Sequence, residues 1–158
     1  MSASPVPRDS RSNQREHEAL RLEIENLRAA LDSLAAYSDA IANLRSLREV
    51  AEHLHSLLAD IPAHMVHEER TVLNAMAALG PDEARFAELM HKQHQMLKAS
   101  LAHFFQMLNE VHDSSDLRAG LRRLQDYGED FTNLLLHHME TEERHIQLLF
   151  QRNVAARA

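Results

Sequence analysis

Residues 64–70 read HMVHEER, and residues 138–144 read HMETEER. Five of the seven positions are identical, and the two copies lie 74 residues apart. In each copy a His precedes a Glu by four positions: His64 and Glu68, then His138 and Glu142. On a helix such a pair shares one face, with about 5–6 Å between Cβ atoms, so both side chains can reach one metal or two neighbouring metals. One copy would be typical of a solvated helix face, but two copies in the same frame favour a metal site.

The composition favours a single all-α domain. The chain has 158 residues, of which 44% are hydrophobic and 4% aromatic, with 3 Gly and 4 Pro. This length suits one domain with a real core, and so few helix breakers favour helices. The chain has no Cys, which excludes disulfides, thiolate ligands and iron–sulfur clusters. Any metal must therefore be held by His and carboxylate.

Charge and hydropathy argue against two classes of partner. A formal net charge of −7 argues against nucleic acid, because phosphate binding requires clustered positive charge. No apolar run reaches the roughly 18 residues of a membrane span, and the first residues lack a signal peptide's apolar core. We therefore expect a soluble protein in the cytoplasm.

Apolar periodicity predicts four helices joined by short connections. The second helix should begin near Ser46, since Ser46 and Glu49 have the spacing of a capping box. Short connections favour an antiparallel up-down-up-down bundle over residues 13–152. We expect the predicted helices at about 14–36, 46–79, 83–111 and 120–150, a disordered tail at 1–12 and a second tail at 153–158.

The repeat extends beyond the heptapeptide. The first helix carries His17 and the third carries His94, at an offset of 77 and each followed three residues later by Leu. Helix lengths at about 1.5 Å per residue place these His residues at the same level as the repeated motif. The predicted metal ligands are His17, His64, Glu68, His94, His138 and Glu142. No catalytic residue is predicted.

This donor set points to a pair of ions. Imidazole and carboxylate without thiolate suit iron, manganese or zinc, and carboxylates bridge two ions well. Burying two Glu side chains without a cation would cost several kcal/mol each, at an order-of-magnitude level. We expect the four His residues to be divided between two ions, with Glu68 and Glu142 bridging them.

At these residues the chain resembles the hemerythrin-like family, the HHE cation-binding domains, over roughly residues 14–150. The resemblance rests on His17, His94 and the two His-x-x-x-Glu-Glu motifs, in the family's order on four helices. It implies a non-haem di-iron centre with an oxo or hydroxo bridge. It also implies that dioxygen, nitric oxide or peroxide is the small ligand, or that the protein handles iron, with weak peroxidase-like or oxidase activity as an open question.

The chain departs from the oxygen-carrying members of that family. Those members carry a pattern similar to His-x-x-x-His on the third helix, and a His followed five residues later by Asp on the fourth. Here His91 precedes His94 by three positions, and Glu142 follows His138 by four. Reversible oxygen carriage is therefore not expected, whereas His91 is a candidate seventh ligand.

The other His and acidic residues receive secondary roles. Glu69 and Glu143 are candidates to orient the ligating imidazoles from outside the metal, although such residues more often pair with Arg on the surface. His67 is expected to have a surface role or an outer supporting role. His137 is not expected to ligate, and His145 should be satisfied or exposed. The side chains expected to be solvated are His53, His55, His103 and His112.

Three alternatives stay open. A ferritin-like di-iron oxidase needs Glu-x-x-His on two helices, and that spacing occurs at Glu52, Glu88 and Glu142, but outside the internal repeat. A zinc or other mononuclear site would have a structural or regulatory role. A plain helical bundle with scattered His is the third alternative. The oligomeric state and any enzymatic activity cannot be read from these patterns.

Overall fold

The computed structural model describes residues 10–36, 40–111 and 116–155, and these residues are almost entirely helical, without a strand. The elements are α1 (Ser10–Ala36), α2 (Ala40–Glu68), a π-helical turn (Glu69–Leu73), α3 (Asn74–Ala77), α4 (Pro81–Val111) and α5 (Leu117–Ala155). Because α2, the π-helical turn and α3 follow one another without interruption, the described residues form four long helical rods. This confirms the all-α class and the helical bundle.

In the N-terminal half of the chain, α1 and α2 both begin earlier than the sequence predicts. α1 begins at Ser10, so the last residues of the expected tail are already helical. The capping-box assignment at Ser46 is wrong, because α2 begins at Ala40 and Ser46 is buried inside it. The expected first connection therefore shrinks to residues 37–39, which lie outside the described part of the chain. Residues 1–9 and 156–158 also lie outside it.

Local chemistry explains where α4 and α5 begin. Pro81 is the first residue of α4, a position where the missing N–H costs nothing because no helical partner exists there. Asp116 precedes α5, and its Oδ1 accepts a hydrogen bond from the Ala119 backbone N–H at 3.0 Å. With this N-cap the helix starts at Leu117, three residues before Gly120, whereas the sequence pattern predicted a start at Gly120.

Apolar faces of the rods form two separate clusters. α1 packs on α2 and α5, and α4 packs on α5 and α2. The larger cluster contains Leu27, Leu54 and Phe131, and the smaller contains Val72 and Met76. Full burial of one such side chain contributes about 1.5–3 kcal/mol. Together the two clusters hold the rods in register on both sides of a polar layer.

Gly128 allows α5 to approach its neighbours closely. A Cβ added at this position would lie 2.8 Å from Phe104 Cζ and would also clash with Leu31. The larger cluster therefore packs directly against the α5 backbone here. Gly128 therefore sets how closely α5 approaches the helices that carry Leu31 and Phe104.

No helix among the described residues has both the length and the apolar composition that are needed to cross a membrane.

Candidate metal centre

The six side chains that the repeat singles out converge between the two apolar clusters. α1 supplies His17, α4 supplies His94, and α2 and α5 each supply a His and a Glu four residues apart. On α4 the site lies directly between the two apolar clusters. Met90 belongs to the smaller cluster, His94 follows one turn later, and Leu97 belongs to the larger cluster. All six are buried: His17, His64, Glu68, His94, His138 and Glu142.

One half of the site is built around two facing imidazoles. His17 Nε2 lies 3.0 Å from His64 Nε2, and the ring centroids are 4.8 Å apart. Glu68 Oε1 lies 3.6 Å from each of these nitrogens. Glu142 Oε2 also lies 3.6 Å from His17 Nε2. His17, His64 and Glu68 therefore place three ligand atoms close enough together for one ion, while Glu142 lies beside His17 outside this group of three.

The other half has the same plan with different distances. Glu68 Oε2 lies 2.9 Å from His94 Nε2 and 4.0 Å from His138 Nε2. The two imidazole rings are 4.9 Å apart. Glu68 thus directs one oxygen to each pair of imidazoles, which is the placement that a bridging carboxylate requires. Within the described residues, two groups of three donors are close enough to hold an ion, and Glu68 belongs to both.

Every one of the four imidazoles is also held from outside through its Nδ1 atom. His17 Nδ1 donates to Glu143 Oε1 at 2.8 Å, and His94 Nδ1 donates to Glu69 Oε1 at 2.8 Å. Since a carboxylate oxygen only accepts, each of these Nδ1 atoms carries the hydrogen, and the neutral ring keeps its Nε2 lone pair for the centre. Glu69 and Glu143 therefore hold these two rings from outside the cluster of inner donors.

Two further supports were not foreseen. His64 Nδ1 donates to Glu16 Oε2 at 2.7 Å, and His138 Nδ1 donates to Gln93 Oε1 at 2.8 Å. The repeat relates the two residues, because Glu16 directly precedes His17 and Gln93 directly precedes His94 at the same 77-residue offset, but this spacing does not indicate which imidazole each one contacts. Such supports fix the tautomer and ring orientation that metal binding needs.

The buried polar atoms fit a cation. Both oxygens of Glu68, Oε2 of Glu142, and Nε2 of His94 and His138 are buried without a hydrogen-bond partner. Leaving so many buried acceptors unpaired is costly, whereas metal ligation would satisfy all of them. Two imidazole nitrogens bound at a right angle to one ion at about 2.1 Å are about 3.0 Å apart, which is the His17–His64 separation.

The pKa shifts keep two of the rings neutral. Burial lowers the pKa of His138 to about 4, with a further contribution from His94 nearby. Burial also lowers the pKa of His64. At neutral pH both rings are therefore uncharged and can ligate without first losing a proton.

The two carboxylates differ in their pKa values. Burial, together with the adjacent Glu68, raises the pKa of Glu142 well above its usual range. Burial also opposes ionisation of Glu68, but the neighbouring Glu142 carboxyl and the His17 and His94 rings outweigh it, so the pKa of Glu68 is lowered. Ionisation of Glu142 beside Glu68 is therefore disfavoured in the absence of a cation, because two like charges this close are poorly stabilised in a buried place.

Asn13 is another part of the site that the sequence patterns did not identify. Its side chain is buried on α1, one turn before His17, and Nδ2 donates to Glu142 Oε1 at 2.9 Å. The repeat-related position on α4 is Met90, which is apolar. Asn13 therefore leaves Glu142 with one unpartnered oxygen, while Glu68 has two.

A π-helical turn follows the first copy of the motif. It covers Glu69–Leu73, and Thr71 Oγ1 donates to the His67 carbonyl at 2.8 Å. The second copy lies in uninterrupted α-helix. Single π turns inside α-helices frequently occur at functional sites, and none of the sequence patterns indicated this one.

The remaining candidates lie outside the cluster of inner donors. His91 is substantially exposed, with Nδ1 3.5 Å from Glu69 Oε1, so the structure does not bring it among the ligating atoms. His67 Nδ1 donates to Glu16 Oε1 at 3.0 Å, so it contacts the carboxylate behind His64 and none of the four inner imidazoles directly.

The other His residues mostly follow expectation. His53 is an exception: it is half-buried and its Nδ1 lies 3.2 Å from Glu23 Oε2, so the expectation that it is solvated was wrong. The expectation that His145 is satisfied or exposed was also wrong: it is half-buried and stacks on Phe86 with ring centroids 3.7 Å apart, and its Nε2 is buried without a hydrogen-bond partner. His55, His103 and His137 are exposed, and His112 lies outside the described residues.

The fold and site define a helical bundle with a buried His and carboxylate centre suited to metal. The family description "Hemerythrin HHE cation binding domain" matches residues 14–147. The chain therefore belongs to the hemerythrin HHE cation-binding domain family, which confirms the resemblance. No match was found among curated proteins or among solved structures.

Proposed function

We propose that the protein binds a pair of iron ions in this centre and that the loaded centre binds or senses dioxygen or nitric oxide, or handles iron. The proposed ligands are His17, His64, Glu68, His94, His138 and Glu142. The single observation that carries the proposal is Glu68, whose two buried and unpartnered oxygens face two different imidazole pairs. One ion would use only one of these pairs.

Charge balance supports two cations. Glu68 and Glu142 lie at 0% exposure, and further carboxylates of Glu16, Glu69 and Glu143 stand directly behind the rings. Among these, Glu143 also accepts from Arg21. Two divalent ions would offset the charge of the two fully buried carboxylates, while the three outer carboxylates stay partly exposed to water.

We also propose the antiparallel up-down-up-down arrangement. The supporting contacts run in opposite senses along neighbouring rods. Between α1 and α5, His17 contacts Glu143, whereas Arg28, further along α1, contacts Thr132, earlier on α5. Between α4 and α5, Gln93 contacts His138 and the Ser100 carbonyl contacts Tyr127.

The oxidase alternative receives less support. Its ligands would include Glu52, His55 and Glu88, and these side chains are exposed. A single zinc on His17, His64 and Glu68 is chemically reasonable, but it would leave the second trio of donors unused. A cytoplasmic location and peroxide as a further ligand stay predictions from the sequence and the family.

Metal analysis and optical spectroscopy test the proposal on protein purified anaerobically. We expect close to two iron ions per chain and charge-transfer bands that change when air, azide or nitric oxide is added. Replacing the bridging candidate, Glu68→Ala, should remove most of the iron, whereas His55→Ala on the surface of the same helix should not. A colourless protein with one zinc ion per chain, or equal iron loss in both variants, would overturn the proposal.

A further inference from the structure

The internal repeat makes the two halves of the centre comparable residue by residue. His17 and His94 are equivalent at an offset of 77, and His64 and His138 are equivalent at 74. Behind them, Glu143 supports His17 and Glu69 supports His94. Any side chain that breaks this correspondence distinguishes one cation position from the other.

Each outer carboxylate also has a basic side chain nearby. Glu143 Oε2 accepts from Arg21 Nη2 at 2.8 Å. Glu69 Oε1 lies 3.5 Å from His91 Nδ1, and Lys98, which the 77-residue offset relates to Arg21, is a more distant positive charge. The sign of the neighbouring charge is therefore the same in both halves, although the direct Arg21 contact occurs in one half.

The remaining pair of supports does distinguish them. His64 Nδ1 donates to the carboxylate of Glu16, whereas His138 Nδ1 donates to the amide oxygen of Gln93, at nearly equal distances of 2.7 and 2.8 Å. Glu16 and Gln93 occupy equivalent positions in the repeat. A carboxylate draws the Nδ1 proton more strongly than an amide oxygen does, so it makes Nε2 a better electron donor and adds a negative charge nearby.

Glu142 strengthens the same difference. Its Oε2 lies 3.6 Å from His17 Nε2, and Asn13 holds its other oxygen. The His17–His64 half therefore has two inner carboxylates close by, while the His94–His138 half is approached by Glu68.

We propose that the two cation positions bind with unequal affinity, the His17–His64 position more tightly, and that Glu16 and Gln93 set this order as positioning residues. This inference rests on the proposed two-metal function. Outer hydrogen-bond partners of metal ligands typically change affinity about 10–100-fold, so we expect a separation of at least about tenfold between the two steps.

Anaerobic titration with Co²⁺ alone, followed by calorimetry and by visible absorption, tests the inference without any activity measurement. Wild-type protein should bind two ions in separate steps. Gln93→Glu should tighten the weaker step about tenfold, and Glu16→Gln should weaken the tighter step by a similar factor. Gln93→Glu is the decisive variant, because a misfolded protein cannot gain affinity.

Single-position backgrounds assign each step. His138→Ala leaves the His17–His64 position intact, and Glu16→Gln should weaken Co²⁺ binding there. His64→Ala leaves the His94–His138 position, and Gln93→Glu should tighten binding there. The matched controls Glu18→Gln and Gln95→Glu make the same charge changes at exposed positions on the same helices, and they should leave both steps unchanged.

The outcomes separate the inference from the function on which it rests. Two Co²⁺ ions bound with equal affinity, or steps that do not respond to the Glu16 and Gln93 exchanges, overturn the inference and leave the two-metal centre standing. Failure of wild-type protein to bind a second Co²⁺ overturns the proposed two-metal function itself.

Discussion

Replacing Glu142 by Gln should separate the metal's contribution to stability from that of the fold. Burial and the adjacent Glu68 raise the pKa of Glu142, which favours the neutral form of this side chain in the metal-free protein. Glutamine has the same shape. Its oxygen can keep the hydrogen bond from Asn13 Nδ2, and its NH₂ can donate to an unpartnered Glu68 oxygen. In chelator, the unfolding free energy should therefore change by less than about 1 kcal/mol.

The metal-dependent part should change much more. A ligand at about 1,000 times its Kd raises the unfolding free energy by about 4 kcal/mol. Glu142→Gln removes one anionic donor of the centre, and a 100-fold loss of affinity would remove about 2.7 kcal/mol of that increment. The variant should thus behave like wild type in chelator and fall well below it with metal.

Urea unfolding followed by far-ultraviolet circular dichroism, with and without ferrous iron under anaerobic conditions, measures both quantities. Glu140→Gln is the matched control, since Glu140 is exposed two residues earlier on α5. A full metal-dependent increment in Glu142→Gln, or an equal destabilisation in chelator, would refute the ligand role of Glu142.

Two further predictions concern the fold and the protonation of the centre. Gly128→Ala should lower the unfolding free energy by about 1 kcal/mol, because crowding against Phe104 and Leu31 outweighs the gain in helix propensity. The control Asp130→Ala, at an exposed site on the same helix, should have little effect. A Gly128→Ala variant more stable than wild type would contradict the reasoning. For the metal-free protein, the pKa of His138 is about 4 when folded and its ordinary value is 6.5, so between these pH values the unfolded chain binds more protons. The unfolding free energy should therefore fall by about 3 kcal/mol as pH falls through this window. Urea unfolding in chelator at several pH values should show a weaker pH dependence in His138→Gln than in wild type. Identical profiles for the two proteins would contradict this assignment.

Much of the centre could be predicted because the repeat encodes it locally. A His and a Glu four residues apart on a helix must share a face, whatever surrounds that helix. Equal helix lengths from each connection then place the motif of α2 and the His of α4 at one level. The inner six residues follow from these two facts, and the structure brings all six together.

The outer partners depended on contacts between helices. Whether Glu16 reaches His64 on α2 is decided by the distance and rotation between two rods, which no local pattern fixes. Glu16 on its own helix resembles any solvated acid, as does Gln93 any solvated amide. The same limit applies to His53, which has the spacing of an exposed residue but meets Glu23 across α1 and α2.

Helix boundaries failed for a related reason. Ser46 and Glu49 have capping-box spacing, yet α2 begins at Ala40, and Ser46 lies inside it on the same buried face as Leu47 and Val50. Burial of a helix face outweighs a local capping signal worth about 1 kcal/mol.

The sequence by itself determined that the chain is helical, that it contains two related halves, and which side chains face inward at a common level. These features depend on backbone periodicity and composition alone. Only the tertiary structure decided that Glu68 lies between both imidazole pairs, that Asn13 holds Glu142, and that a carboxylate supports one half where an amide supports the other. Those features depend on how closely the helices pack, since a hydrogen bond or a shared ligand exists only within about 3 Å.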